Sequence, residues 1–131
     1  MESYAVAVVV ETPEGIPLVL DPQKPIPRFW KFPGGRNRQG EKPIETAARE
    51  LDEETGICLL PNQLTLIYQE IRTNESGEHL FFLFRAKIPE KIGLSLRAKE
   101  KEFTAFFTQK KIETVSDFFP NHRSLLPKLK M

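Results

Sequence analysis

GRNRQGEKPIETAARELDEETGI, from Gly35 to Ile57, gathers the densest set of carboxylates in the chain onto a segment that reads as a helix. Pro43 suits the first helical position, where a missing N–H loses nothing, and Gly56 suits the position just past the end. Helical spacing sorts the residues between them into faces. Ile44, Ala47, Ala48 and Leu51 fall at i, i+3, i+4 and i+7, the pattern of a helix laid on a core. Glu50, Glu53 and Glu54 form a second stripe, and Glu45, Arg49 and Asp52 a third.

Carboxylates three and four apart repel by about 0.2–0.5 kcal/mol per pair on an exposed helix. Glu53 and Glu54 also sit in the last turn, where the helix dipole disfavours negative charge. Two readings follow from the residues alone. The stripe is either a solvated acidic face or a site for a hard divalent cation, magnesium in particular, which takes a few carboxylates and leaves its other positions to water and phosphate.

The chain's 131 residues suffice for one domain with a real core, 1–131, and are too few to suggest two. Hydrophobic residues at 40% and charged ones at 28% describe a globular protein. A formal net charge of +1 gives no global footprint for nucleic acid or membrane, so phosphate binding has to be local. Cys58 is the only cysteine, which excludes an intrachain disulfide and a cysteine-rich metal site. Flanked by Ile57, Leu59 and Leu60, it reads as a small packed hydrophobe. No secretory signal pattern or bilayer-length apolar run is present, so a cytoplasmic location without membrane partners is expected.

Along the chain, Tyr4 to Glu11 reads as a strand buried on both faces, joined through TPEG to a second strand, Ile16 to Leu20, as a hairpin. Asp21 to Arg28 carries three prolines and reads as an extended loop. FWKFPGG, from Phe29 to Gly35, is a short strand ending in a turn where glycine lets the main chain approach a ligand closely. Beyond the helix, Gln63 to Arg72 is a strand with Leu64, Leu66 and Tyr68 on one face, and Glu78 to Ile88 is an interior strand. His79, at its start, reads as a surface or hydrogen-bonded residue. Phe103 to Thr108 is a last short strand, followed by helical segments over Gln109–Val115 and Asn121–Lys130, the latter interrupted by Pro127. Periodicity alone gives α/β or α+β.

Gly35, Glu41, Arg49, Glu50, Leu51, Glu53, Glu54, Gly56 and Ile57 stand at the spacing of the Nudix box, and the stretch resembles that signature at every fixed position. The resemblance implies an α/β/α sandwich with a mixed β-sheet. It also implies a magnesium-dependent pyrophosphohydrolase, with manganese as an alternative ion, that cleaves a nucleoside diphosphate linked to another group. A nucleoside triphosphate, oxidised or not, cleaved to the monophosphate and pyrophosphate is the leading substrate. ADP-ribose, a dinucleotide or the 5′ end of RNA is the alternative, and a non-catalytic nucleotide-binding module a third reading. Apart from an RNA end, nucleic acid is not an expected partner.

For individual residues the resemblance implies that Glu50, Glu53 and Glu54 hold the metal, joined by the Gly34 carbonyl, with Glu41 able to complete the site. Arg49, about 100° round the helix from Glu50, is better placed to orient a glutamate than to touch phosphate. The general base is either Glu50 or a downstream glutamate, Glu100 or Glu102. Arg28, Lys31 and Gly35 are candidate substrate contacts, and Asn121 resembles the base-reading asparagine of MutT-type tails, or is a plain helix cap. Nucleotide-hydrolysing relatives often carry arginine just after the second strand; here that place holds Asp21.

Overall fold

The computed structural model describes residues 3–75, 77–95 and 103–129. β1 (Tyr4–Glu11) lies parallel to β5 (Gly77–Lys87) and antiparallel to β3 (Gly34–Arg36), while β4 (Thr65–Asn74) runs antiparallel to β5. The resulting mixed sheet has the order β3-β1-β5-β4. β2 (Ile16–Leu20) and β6 (Phe103–Phe107) form a separate antiparallel pair.

The run AVAVVV is apolar throughout because β1 faces two cores. Ala7 and Val9 join Phe81 and Leu83 of β5 on one side, where Ile16, Leu18, Phe107, Ile112, Phe118, Leu125 and Leu129 close over them. Val6, Val8 and Val10 join Phe82, Phe84 and Ala86 on the other, under Ala47 and Leu51 of α1 (Pro43–Thr55). Leu51 is fully buried, and a leucine taken out of water stabilises by about 1.5–3 kcal/mol. The architecture is mixed α+β. One outer layer is α1; the other combines the β2–β6 pair with the short helices α2 (Gln109–Thr114), α3 (Pro120–Arg123) and α4 (Leu126–Leu129). No helix among the described residues is long and apolar enough to cross a membrane.

Several local expectations need correction. β1 and β2 share only the Thr12–Gly15 turn bridge, and β2 pairs with β6 in place of forming a hairpin ladder. The chain bends there so that Ile16 and Leu18 can roof the core that β1 floors. In β4 the register slips between Leu66 and Tyr68. That bulge moves the alternation by one residue, so Ile67 and Tyr68 pack inward while Leu66 is 44% exposed. Cys58 is exposed rather than packed; Ile57 and Leu64 take the buried places beside it. The C-terminal helical segment breaks at Ser124 and Leu125, and Pro127 lies inside α4, where its missing N–H is tolerated in a first turn.

Candidate active site

α1 begins as its sequence dictates. Pro43 occupies the first turn, and the Glu45 carboxylate accepts a 2.9 Å hydrogen bond from the Lys42 amide. Its end is closed by Gly56 at φ 78°, whose N–H donates to the Asp52 carbonyl. A side chain at Gly56 would also strike a crossing segment, since a Cβ there lies 2.3 Å from Ser95 Oγ. The Ser95 N–H donates to the Thr55 carbonyl at 2.7 Å, satisfying an acceptor at a helix end with no basic residue in its last turn.

Glu50 and Glu54 of the stripe face the glycine turn. Glu54 is 5% exposed, and its Oε1 accepts a 2.7 Å bond from the Gly34 N–H. The contact shown between Gly34 and the acids is thus through its amide. Gly35 is glycine because of proximity: a Cβ there would lie 2.2 Å from Glu50 Oε2. At Gly34 a Cβ would lie 2.0 Å from the Val6 carbonyl oxygen in the neighbouring strand.

Arg49 gathers the remaining acids. Its Nε and Nη2 bind both oxygens of Glu41, at 2.6 and 3.0 Å, and its Nη1 reaches Glu50 at 2.6 Å and Glu53 at 3.0 Å. Nη2 also donates to the Arg36 carbonyl at 3.1 Å. A guanidinium has five N–H donors, and these five contacts engage them all. Glu41 therefore serves as the bidentate seat of Arg49 instead of extending the acid stripe. The Arg49 hydrogen bond holds the Glu41 carboxyl down at about 2, against the opposing effect of burial, and the Arg38 amide and Thr46 hydroxyl add to the lowering. Reciprocally, Glu41 raises the Arg49 pKa above its ordinary value.

Sequence reading missed the residues that support this cluster. Arg38 donates from Nη2 to Glu53 at 3.1 Å, and the Tyr4 hydroxyl donates to the Glu41 carbonyl at 2.8 Å while also bonding Thr46. Arg38 carries a readable signal, a cation within the acidic stretch. Tyr4 carries none, because only folding brings it to Glu41.

The residues suit a divalent cation. Counted over these six side chains, the carboxylates of Glu41, Glu50, Glu53 and Glu54 face the guanidinium groups of Arg38 and Arg49, a negative balance built of hard oxygen donors. Among the described residues no three acidic or histidine side chains already converge as a ligand set; Arg49 lies between Glu41, Glu50 and Glu53.

Of the candidate substrate contacts, Gly35 lies beside Glu50, and the other three divide between two depressions that share Phe119. Arg28 and Lys31 line one of about 290 Å³ with Asp21, Lys24 and Phe29. Asn121 lines the other, about 490 Å³, with Arg36, Glu70, Arg72 and His79. Asn121 lies within α3, whose N-cap is Phe119 with no side-chain cap, so it is not the cap residue. His79 is half-buried there, its pKa lowered by burial and then by Arg36 and Arg72. Glu100 and Glu102 lie outside the described residues.

His122 went unnoticed in the sequence. It is 6% exposed, stacks on Phe32 with ring centroids 5.4 Å apart, and accepts at Nδ1 a 3.0 Å bond from the Phe32 N–H. Burial, then the charges of Lys31 and Arg72, push its pKa down to about 3, so the ring is neutral.

An acid-bearing helix seated under a glycine turn on a mixed α+β sheet defines the class of protein. A NUDIX domain model matches residues 1–129, and the chain belongs to the Nudix family. Over 76 residues, 58% of this chain and 50% of the relative, it is 36% identical to a putative 8-oxo-dGTP diphosphatase of Bacillus subtilis (strain 168). Over 30 residues, 23% of this chain and 17% of the relative, it is 60% identical to an RNA pyrophosphohydrolase of Bartonella clarridgeiae. These matches span half or less of the relatives' own lengths. The fold resembles that of the MutT protein from Methanosarcina mazei Go1 at a TM-score of 0.78 and 18% identity, over 97% of this chain and 91% of that one.

Proposed function

We propose that the chain is a divalent-cation-dependent pyrophosphohydrolase acting on a nucleoside diphosphate linked to another group, with a nucleoside triphosphate, oxidised or not, as the leading substrate. The observation that carries this reading is the pair Glu50 and Glu54 against the Gly34–Gly35 turn, Glu54 tied to it by its Gly34 bond, with Glu53 joined to Glu50 through Arg49. Glu50, Glu53 and Glu54 would hold magnesium or manganese, with the Gly34 carbonyl as a further donor. A cation so held neutralises phosphate oxygens and lowers the pKa of water.

The protein's own contribution is placement. Arg49 is a positioning residue: with all its donors engaged by the chain, it fixes Glu50 beside the turn and Glu53 next to it on the same guanidinium nitrogen. For these two to serve an ion, they exchange contacts with Arg49 for contacts with the ion, while the bidentate Glu41 pair keeps the guanidinium in place. Gly35 brings bare backbone to the substrate side of Glu50. Arg28 and Lys31, which line the smaller depression, meet phosphate, and Asn121, which lines the larger, meets the base. Glu50, or a downstream glutamate, Glu100 or Glu102, takes the proton from the attacking water. The negatively charged bridge calls for charge stabilisation and in-line positioning more than covalent catalysis.

The test is a panel of nucleoside triphosphates, ADP-ribose, dinucleotides and 5′-triphosphorylated RNA, assayed with magnesium and with manganese and with products resolved by chromatography. The reading requires cation-dependent release of a nucleoside monophosphate from at least one substrate. Calorimetry that detected no cation uptake, with or without nucleotide, would overturn it.

A further inference from the structure

β4 closes one end of the four-stranded sheet, with β5 on one side and no described strand on the other. An open edge presents a row of peptide N–H and C=O groups, which folded proteins ordinarily blunt with charged side chains, lysine above all, with proline or with a bulge. β4 contains neither lysine nor proline. Its register break falls between Leu66 and Tyr68, so Tyr68 to Asn74 run in unbroken pairing with β5. In the middle of that regular stretch Ile71 stands 62% exposed.

The sequence around Ile71 is suited to meeting itself reversed. If two copies pair antiparallel about a twofold axis through Ile71, Glu70 meets Arg72 of the second copy and Arg72 meets its Glu70. Gln69 meets Thr73 of the second copy, and the two Ile71 side chains lie opposite each other on the other face. Opposite charges across antiparallel strands stabilise the pairing, while like charges directly opposite are destabilising. Moving the axis to Glu70 or to Arg72 sets like charges against each other, and an axis at Gln69 or Thr73 forfeits both Glu70–Arg72 pairs, so the charges favour Ile71. Within one copy Arg72 Nε already bonds Glu70 Oε1 at 2.9 Å on this face, and both side chains retain contact with solvent. The pairing joins two such ion pairs into a ring of alternating sign.

We infer that β4 is a dimerisation edge whose partner is a second copy of this chain, added antiparallel about Ile71 to make the two sheets continuous. The inference is independent of the hydrolytic reading. It bears on the larger depression, because Glu70, Arg72 and Thr73 line its wall and Glu70 of the second copy would stand at its rim.

Sedimentation equilibrium of the full chain, from low micromolar to about 1 mM, spans the range expected of an interface this small. The weight-average mass should rise towards twice that of the monomer. Ile71→Lys should hold the protein monomeric throughout. Glu70→Lys and Arg72→Glu should each sediment as monomers, whereas their equimolar mixture should regain the dimer, because only the mixture sets opposite charges across the axis. A wild-type chain monomeric at every concentration overturns the inference. So does a dimer that survives Ile71→Lys and both charge variants, or a mixture that stays monomeric while the wild type associates. Circular dichroism checks that each variant is folded; should one charge variant unfold, the wild-type and Ile71→Lys arms still decide.

Discussion

On one flank of the segment from Phe32 to Arg36, Glu54 and Arg49 grip the main chain with charge, through the Gly34 amide and the Arg36 carbonyl. On the other flank His122 grips the Phe32 amide with a neutral ring packed among phenylalanines. The charged grip comes from residues nearer in sequence and differs between its two members, Arg49 being partly open to water at 17% exposed and Glu54 buried. The neutral grip spans a sequence separation of 90 residues and is shut away from solvent. The turn proposed to meet an ion and a polyanion is thus braced on that side by charged groups, one of them partly open to water, and on its far side by a buried neutral ring.

The contrast breaks most sharply where activity is read. Glu53→Gln, and separately Glu54→Gln, should lower cation-dependent turnover by about two orders of magnitude or more, since each takes a charge from the proposed ion site. In Glu54→Gln the new side-chain amide keeps an oxygen to accept the Gly34 N–H, so thermal melting should change little. Near-full activity in either variant would remove that residue from the ligand set.

Next in size, His122→Ala should destabilise by about 3 kcal/mol in urea unfolding, since it leaves a cavity and orphans a buried amide. Arg49→Lys exchanges five donors for three and loses the bidentate seat on Glu41. It should lower stability by about 1–2 kcal/mol and reduce kcat more than it raises KM. An equal loss in a variant that only melts early would make Arg49 merely structural.

Acid should dissect the two flanks in turn. The folded pKa of His122 lies at about 3, below its ordinary value of 6.5. Between those values the unfolded chain binds the extra proton, so stability falls as pH drops from 6.5 towards 3. Glu41, at about 2 against 4.5, contributes stability that is present above pH 4.5 and lost as pH falls through 2. Urea midpoints across pH 4.5–6.5 should therefore slope in the wild type and slope much less in His122→Phe, the half-buried His79, also lowered, supplying the remainder. An undiminished slope would assign the effect to another group. The smallest effect belongs to Cys58→Ser, an exposed position where stability should stay within about 0.5 kcal/mol.

What the sequence disclosed follows the same division. The helix from Pro43 to Thr55, its Gly56 stop and the interior strands were legible because spacing along one segment fixes which side chains share a face. Arg49 was readable as an orienting group for that reason, although its seat on Glu41 was not, since Glu41 precedes the helix and its direction depends on the loop. The course of β2 was misread because a turn signal announces reversal without saying which strand will be the neighbour. The exposure of Leu66 and Cys58 escaped for want of any local mark of the bulge or of the solvent side. His122 was invisible because its value lies in an amide far upstream, and a histidine among apolar residues does not declare its acceptor. The division of Arg28 and Lys31 from Asn121 by Phe119 is likewise a property of the folded surface.

The bond from the Ser95 amide to the Thr55 carbonyl is made wholly of backbone. Ionic strength and side-chain charge have little purchase on such a clasp, even at a helix end crowded with acids. Position 95 is correspondingly permissive toward small residues in general and closed to one in particular: proline, which lacks the hydrogen, would unfasten the downstream strap from the helix that carries the glutamates.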